Sequence, residues 1–269
     1  MNLTPIMQGL VATIFTWAIT ALGACLVFFF KTVDRKILNC MLGFGAGVMV
    51  AASFWSLLNP AIELCSELGY SQIILPSIGF FAGGIFIILA DKMMDKYSYG
   101  VITESDEIAR DSIVKKYKKS ILLVVAVTLH NIPEGLAVGV AFGGVAAGIP
   151  SATIGAAMSL ALGIGLQNFP EGAIISMPLR GEGMSRPKSF LMGVLSGAVE
   201  PVAGVLTILA AGIIVPVLPY LLSFAAGAML YVVVEELIPE MSEGSHSNIG
   251  TVLFAVGFSV MMILDVALG

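Results

Sequence analysis

The residues best equipped for chemistry lie in two short, matching stretches. HNIPEG runs from His130 to Gly135 and QNFPEG from Gln167 to Gly172. His130 and Glu134 are four apart, as are Gln167 and Glu171, so each pair shares one helical face. A third carboxylate, Glu200, precedes Pro201 in AVEPVAG. Each proline lacks an N–H and so releases the carbonyl four residues earlier: Leu129 for Pro133, Leu166 for Pro170, Gly197 for Pro201. The imidazole of His130, the carboxylates of Glu134, Glu171 and Glu200, and the amide oxygens of Asn131, Gln167 and Asn168 suit a borderline divalent transition metal. Any one of them alone reads as a packing device or a helix–helix hydrogen bond. Seven together in a repeated motif point to a site.

The elements that must hold them are membrane helices. The chain is 58% hydrophobic and 12% charged, with a mean hydropathy of +0.98. A soluble domain carries about 25% charged residues, so this chain has too little charge for a water-facing surface. Its apolar runs of about 20 residues match a bilayer core, and none alternates as a barrel strand would. Eight spans are predicted, at about 7–30, 38–62, 72–93, 118–143, 151–177, 188–212, 217–239 and 248–268. All 269 residues form a single polytopic transmembrane domain, with one long connection, a cytoplasmic loop at about 94–117. The first segment lacks a basic start and a clear cleavage site and reads as a retained helix. Cys25, Cys40 and Cys65 form no CxxC and read as apolar fillers.

Basic residues orient the chain. Lys31, Arg35 and Lys36 follow span one. Lys92, Lys96, Arg110, Lys115, Lys116, Lys118 and Lys119 follow span three. Arg180, Arg186 and Lys188 follow span five. All 13 Lys and Arg fall on one side, which the positive-inside rule makes cytoplasmic, with both termini extracellular or periplasmic. The Lys115–Lys119 cluster reads as a positive-inside anchor in the cell membrane. Spans four, five and six then bring Glu134, Glu171 and Glu200 to one depth near the bilayer midplane. A carboxylate there costs a few kcal/mol, so it should face the bundle and have a partner. Broken helices at that depth are tolerated where they line a polar cavity, and transporters build midplane ion sites this way.

At these residues the chain resembles the ZIP (Zrt-, Irt-like protein) family of divalent metal transporters, bacterial-type. HNIPEG, QNFPEG and the Glu200–Pro201 pair match that family's motifs in order, and the likeness covers nearly the whole chain. It implies an all-α fold with an inverted repeat of helices 1–3 and 6–8 around helices 4–5, and motion of spans one, four, five and six against the rest. It implies a binuclear site: His130, Glu134, Gln167 and Glu171 around one ion, and Asn131, Glu134, Asn168, Glu171 and Glu200 around the other. The two shared glutamates would bridge. Bacterial relatives often carry Asp where this chain has Asn168, so the second site should be weaker here. The resemblance also implies a pathway through Met49, Ser56 and Glu63 in span two and Asp265 in span eight, with an exit past Glu235 and Glu236. Glu235 stands where the family commonly has His. Glu235, Glu236 and Glu240 alternatively cap a helix end.

Rival chemistries fare less well. HExxH needs two histidines one turn apart, and the chain has only His130 and His246. No serine has the Gly-x-Ser-x-Gly setting, and no GxxxxGK[ST] offers an ATP site, so an enzyme is not expected. A purely structural protein gains nothing from midplane carboxylates. The expectation is zinc uptake into the cytoplasm, passive or ion-coupled, with Zn2+ as substrate, no prosthetic group, the lipid bilayer as partner, a homodimer allowed and no nucleic acid. The alternative is a proton-coupled carrier of another metal (Cd2+, Fe2+ or Mn2+) or of a small organic solute.

Overall fold

The computed structural model describes residues 3–30, 34–103, 111–181, 183–242 and 248–268. His246 lies outside them, as do the side chains of His130 and of the Lys115–Lys119 cluster. The described residues form helices and no strand: α1 (Pro5–Ala24), α2 (Leu26–Phe29), α3 (Arg35–Ala52), α4 (Asn59–Glu67), α5 (Ile74–Thr103), α6 (Asp111–Ala146), α7 (Ile154–Gly181), α8 (Arg186–Gly197), α9 (Val199–Ile214), α10 (Leu218–Val232), α11 (Ile238–Ser242) and α12 (Ile249–Leu268). Five helical stretches are long and apolar enough to cross a membrane: Pro5–Phe29, Arg35–Glu67, Arg186–Ala210, Leu218–Ser242 and Ile249–Leu268. Ile74–Ala90 is a shorter apolar helix. α6 and α7 cover the remaining expected spans and carry the polar motifs. α5 and α6 enter the expected loop at about 94–117 from both sides, and residues 104–110 lie outside the description.

Burial is inverted relative to a water-soluble bundle. α1 buries Gly9, Thr13, Thr16, Thr20 and Gly23 and exposes Leu10, Val11, Ile14, Phe15 and Leu22. α12 exposes Val252, Val256, Ile263 and Val266. Lipid accepts the large apolar side chains, so small and polar residues can form the helix contacts. The chain is an all-α, multi-span membrane protein.

The helices pair as α3 with α12, α5 with α10, α1 with α7, and α6 with α9. Glycines set these pairs, because a Cβ would run into the partner's backbone. At Gly47 it would meet the Phe254 carbonyl, and at Gly227 the Phe80 carbonyl. Gly257 faces the Phe44 carbonyl in the same way, and Gly83 that of Phe224. Phe44-Gly-Ala-Gly-Val-Met49 and Phe224-Ala-Ala-Gly-Ala-Met229 stand 180 residues apart, so these contacts are reciprocal. The motif helices follow suit: Gly172 packs on the Thr20 carbonyl and Gly135 on that of Glu200, again 180 apart. An apolar groove is lined by Phe15 and Ile19 of α1, Leu166 of α7, Phe44 of α3 and Leu253 of α12.

Two rods widen partway. Ser53–Leu58 between α3 and α4, and Val233–Leu237 between α10 and α11, are π-helical. Asn59 N–H bonds back to the Phe54 carbonyl and Ile238 N–H to that of Val233, and a proline follows each: Pro60 and Pro239. A proline ring clashes with the carbonyl four residues earlier in an α-helix, and the wider turn relieves that contact.

The expectation of broken helices is met at one place and corrected at two. A break at Ala198 separates α8 from α9, just before Glu200 and Pro201. α6 and α7 run through Pro133 and Pro170 without interruption. Each proline removes one hydrogen bond there, and the close backbone contacts at Gly135 and Gly172 hold the adjoining turn.

Candidate metal site

α6, α7 and α9 bring the motif residues together, and α1 closes the side. Asn131, Glu134, Gln167, Asn168 and Glu200 are fully buried, and Glu171 is 9% exposed. Gln167 Nε2 donates a short hydrogen bond to Glu134 Oε1. The Glu134 and Glu171 carboxyls lie within hydrogen-bonding reach of each other. Asn168 Nδ2 donates to Glu200 Oε2 at 2.8 Å and to the Thr16 carbonyl at 3.2 Å. Asn131 Nδ2 donates to the Ser196 carbonyl at 3.0 Å, and Ser196 stands 180 residues after Thr16. Thr20 Oγ1 donates to Glu200 Oε1 at 3.4 Å.

What these contacts leave over is informative. Asn131 Oδ1, Glu134 Oε2, Gln167 Oε1, Asn168 Oδ1 and Glu171 Oε2 are buried with no hydrogen-bond partner. A buried, unsatisfied polar atom costs about 1–3 kcal/mol, more when charged. Five such oxygens from five motif residues fit a cation. Among the described residues no three His, Cys, Asp or Glu side chains form a metal-ready group by themselves; the amide oxygens are needed. His130 occupies the α6 position one turn before Glu134.

The flanking residues separate. Ser56 is buried and donates to Asp265 Oδ1 at 2.7 Å, and Ser159 of α7 reaches the same oxygen at 3.4 Å. Ser56 also borders a cavity of about 50 Å³ with Pro60, Val140, Ala157 and Leu218. Met49 is buried, whereas Glu63 is exposed and accepts from Asn59 Nδ2 at 2.9 Å. Glu235 is exposed and Glu236 half-buried, both on the π-helical turn. Glu240 pairs with Arg35 at 2.8 Å. Motif reading missed Thr16, Thr20, Ser159 and the Ser196 carbonyl. The 180-residue repeat is the signal that finds the first two, since Thr20 is the counterpart of Glu200 and Thr16 of Ser196.

The ZIP zinc transporter family model matches residues 7–120 and 103–265, nearly the full length. This chain belongs to the ZIP zinc transporter family. Among ZIP proteins it is similar to the zinc transporter ZIP11 of Xenopus tropicalis, 39% identical over 332 aligned residues that cover 99% of this chain and 98% of the relative. It is 34% identical to the zinc transporter GufA of Myxococcus xanthus over 264 residues, covering 97% and 99%. Against the zinc transporter ZIPB of Bordetella bronchiseptica it is 31% identical over 258 residues, covering 94% and 79%. These ZIP relatives are named as transporters, and none as an enzyme.

Proposed function

We propose that this protein carries zinc, or a divalent metal of similar ligand preference such as Cd2+, Fe2+ or Mn2+, across the cell membrane into the cytoplasm. One observation carries the reading: five unpartnered, buried oxygens on the HNIPEG and QNFPEG segments. The zinc named for its relatives supports the choice of ion. The motif residues mark out two adjacent positions, of which the first carries the metal-ready carboxylate oxygens of this reading. His130, Glu134, Gln167 and Glu171 make the first, and Asn131, Asn168 and Glu200 the second, with Glu134 and Glu171 shared. Ser56, Asp265 and Met49 line the approach from outside, and Glu236 and Glu235 the exit. With eight spans, the 13 basic residues fall on one side, which supports a cytoplasmic placement of that side.

Uptake into proteoliposomes tests this. Zinc-dependent accumulation should fall on competition with Cd2+ and vanish in Glu171→Ala. Accumulation of an organic solute, with no response to metal, would sink the proposal.

A further inference from the structure

We propose that in this chain the Asn168 amide stands in for the second metal ion, so that the site binds one divalent cation tightly and leaves the second position closed. The inference rests on the metal-carrier reading above and specifies its stoichiometry.

The Asn168 nitrogen faces two acceptors, Glu200 Oε2 at 2.8 Å and the Thr16 carbonyl at 3.2 Å. The Thr16 carbonyl can only accept, so the amide nitrogen must face it and the amide has one chemically sensible orientation. The other Glu200 oxygen lies 3.4 Å from the Thr20 hydroxyl, which it shares with the Thr16 carbonyl at the same distance. Both oxygens of Glu200 are thereby occupied by the protein, and neither is among the buried atoms without a partner. Glu134 and Glu171 differ: each keeps one oxygen free. The carboxylates thus sort themselves, two open to an ion and one already satisfied.

Aspartate in place of Asn168 would set a carboxylate against Glu200 and the Thr16 carbonyl. That cluster of oxygens needs a cation between them, because buried like charges repel strongly. The amide meets the same oxygens with N–H groups and removes the need. α1 adds no charge either. At the position that repeats Glu200 it carries Thr20, which donates to Glu200 instead of competing with it. The free oxygens of Asn131 and Asn168 are neutral and can complete the shell of a single ion.

Counting bound ions tests this on the full-length protein in nanodiscs, with Cd2+ as the probe. Calorimetric titration of the wild type should give one tight ion per chain. Asn168→Asp should give two, its second Kd at least tenfold below that of any second ion in the wild type. Two ions of similar affinity in the wild type would overturn the proposal, and so would a single ion in Asn168→Asp. Should Asn168→Asp be unstable without metal, it is purified with Cd2+ present and its ions counted by native mass spectrometry. A folded wild type that binds no metal at all would instead remove the carrier reading on which the inference stands.

Discussion

Gln167 and Glu134 hold each other in place, and among the described residues Gln167 has no other side-chain partner, whereas Glu134 also reaches Glu171. Glu134→Ala therefore acts twice. It removes a charged ligand, so Cd2+ affinity should drop at least about 100-fold. It also orphans the Gln167 amide, which should cost about 1–3 kcal/mol of stability. Titration together with thermal melting separates the two effects; unchanged affinity in a folded variant would exclude Glu134 as a ligand. Acid should weaken binding at this site, because carboxylate and imidazole ligands must lose their protons to hold a metal. The apparent Kd should rise as pH falls, and a pH-independent titration would count against metal ligation. The motif residues were legible because their chemistry is local: a His, Gln or Glu four residues from a Glu announces a shared face. Thr16 and Thr20 were not, since a hydroxyl on an apolar helix usually bonds its own backbone, as Thr13 does with the Leu10 carbonyl.

The helices themselves were nearly all visible as apolar runs, but where the flanks are polar their ends were not: α5 continues to Thr103, beyond the expected end at about 93, and α6 begins at Asp111, before the expected start at about 118. The π-helical turns at Ser53–Leu58 and Val233–Leu237 were not visible, because one extra residue per turn leaves composition and hydropathy unchanged. Nor was the continuity of α6 through Pro133, since a proline's lost hydrogen bond is judged against packing that only the fold supplies. The glycine contacts can be tested directly. Gly47→Ala and Gly227→Ala each place a methyl against a backbone carbonyl of the facing helix. Each should cost about 1–3 kcal/mol, the usual penalty of overpacking, and the two should be similar because the contacts are reciprocal. Gly181 has open space around it, so Gly181→Ala should be neutral or slightly stabilising. Melting temperatures in one detergent check all three, and equal losses at Gly47 and Gly181 would refute the contact argument.

At the scale of the whole molecule the proposed sidedness rests on the basic residues. Ser66 and Ser185 are exposed at opposite ends of the bundle in the proposed topology. In intact cells, Ser66→Cys should react with a membrane-impermeant thiol reagent and Ser185→Cys should not, on a background without the three native cysteines. The reverse pattern would invert the direction of transport inferred here. Charge placement is the sequence feature from which this orientation is proposed. The pairing of α1 with α7 and of α6 with α9 was not readable, because lipid-facing and helix-facing apolar positions share one hydropathy. On α1 what tells them apart is size: Leu10, Ile14, Phe15 and Leu22 turn outward while Gly9, Thr13, Thr16, Thr20 and Gly23 turn in.

The glycine contacts also bear on how such a fold can be inferred from sequence families. A contact between two side chains leaves a trace, since a change on one side can be offset by a change on the other. Gly47 and Gly227 touch carbonyl oxygens, and Gly135 and Gly172 do the same. Every residue type presents that same oxygen, so Phe254 or Thr20 can vary freely without relieving or creating the clash. These contacts therefore constrain one position each and couple none. Pairwise co-variation would be silent where the helices approach most closely, and single-site invariance of glycine would be the only record.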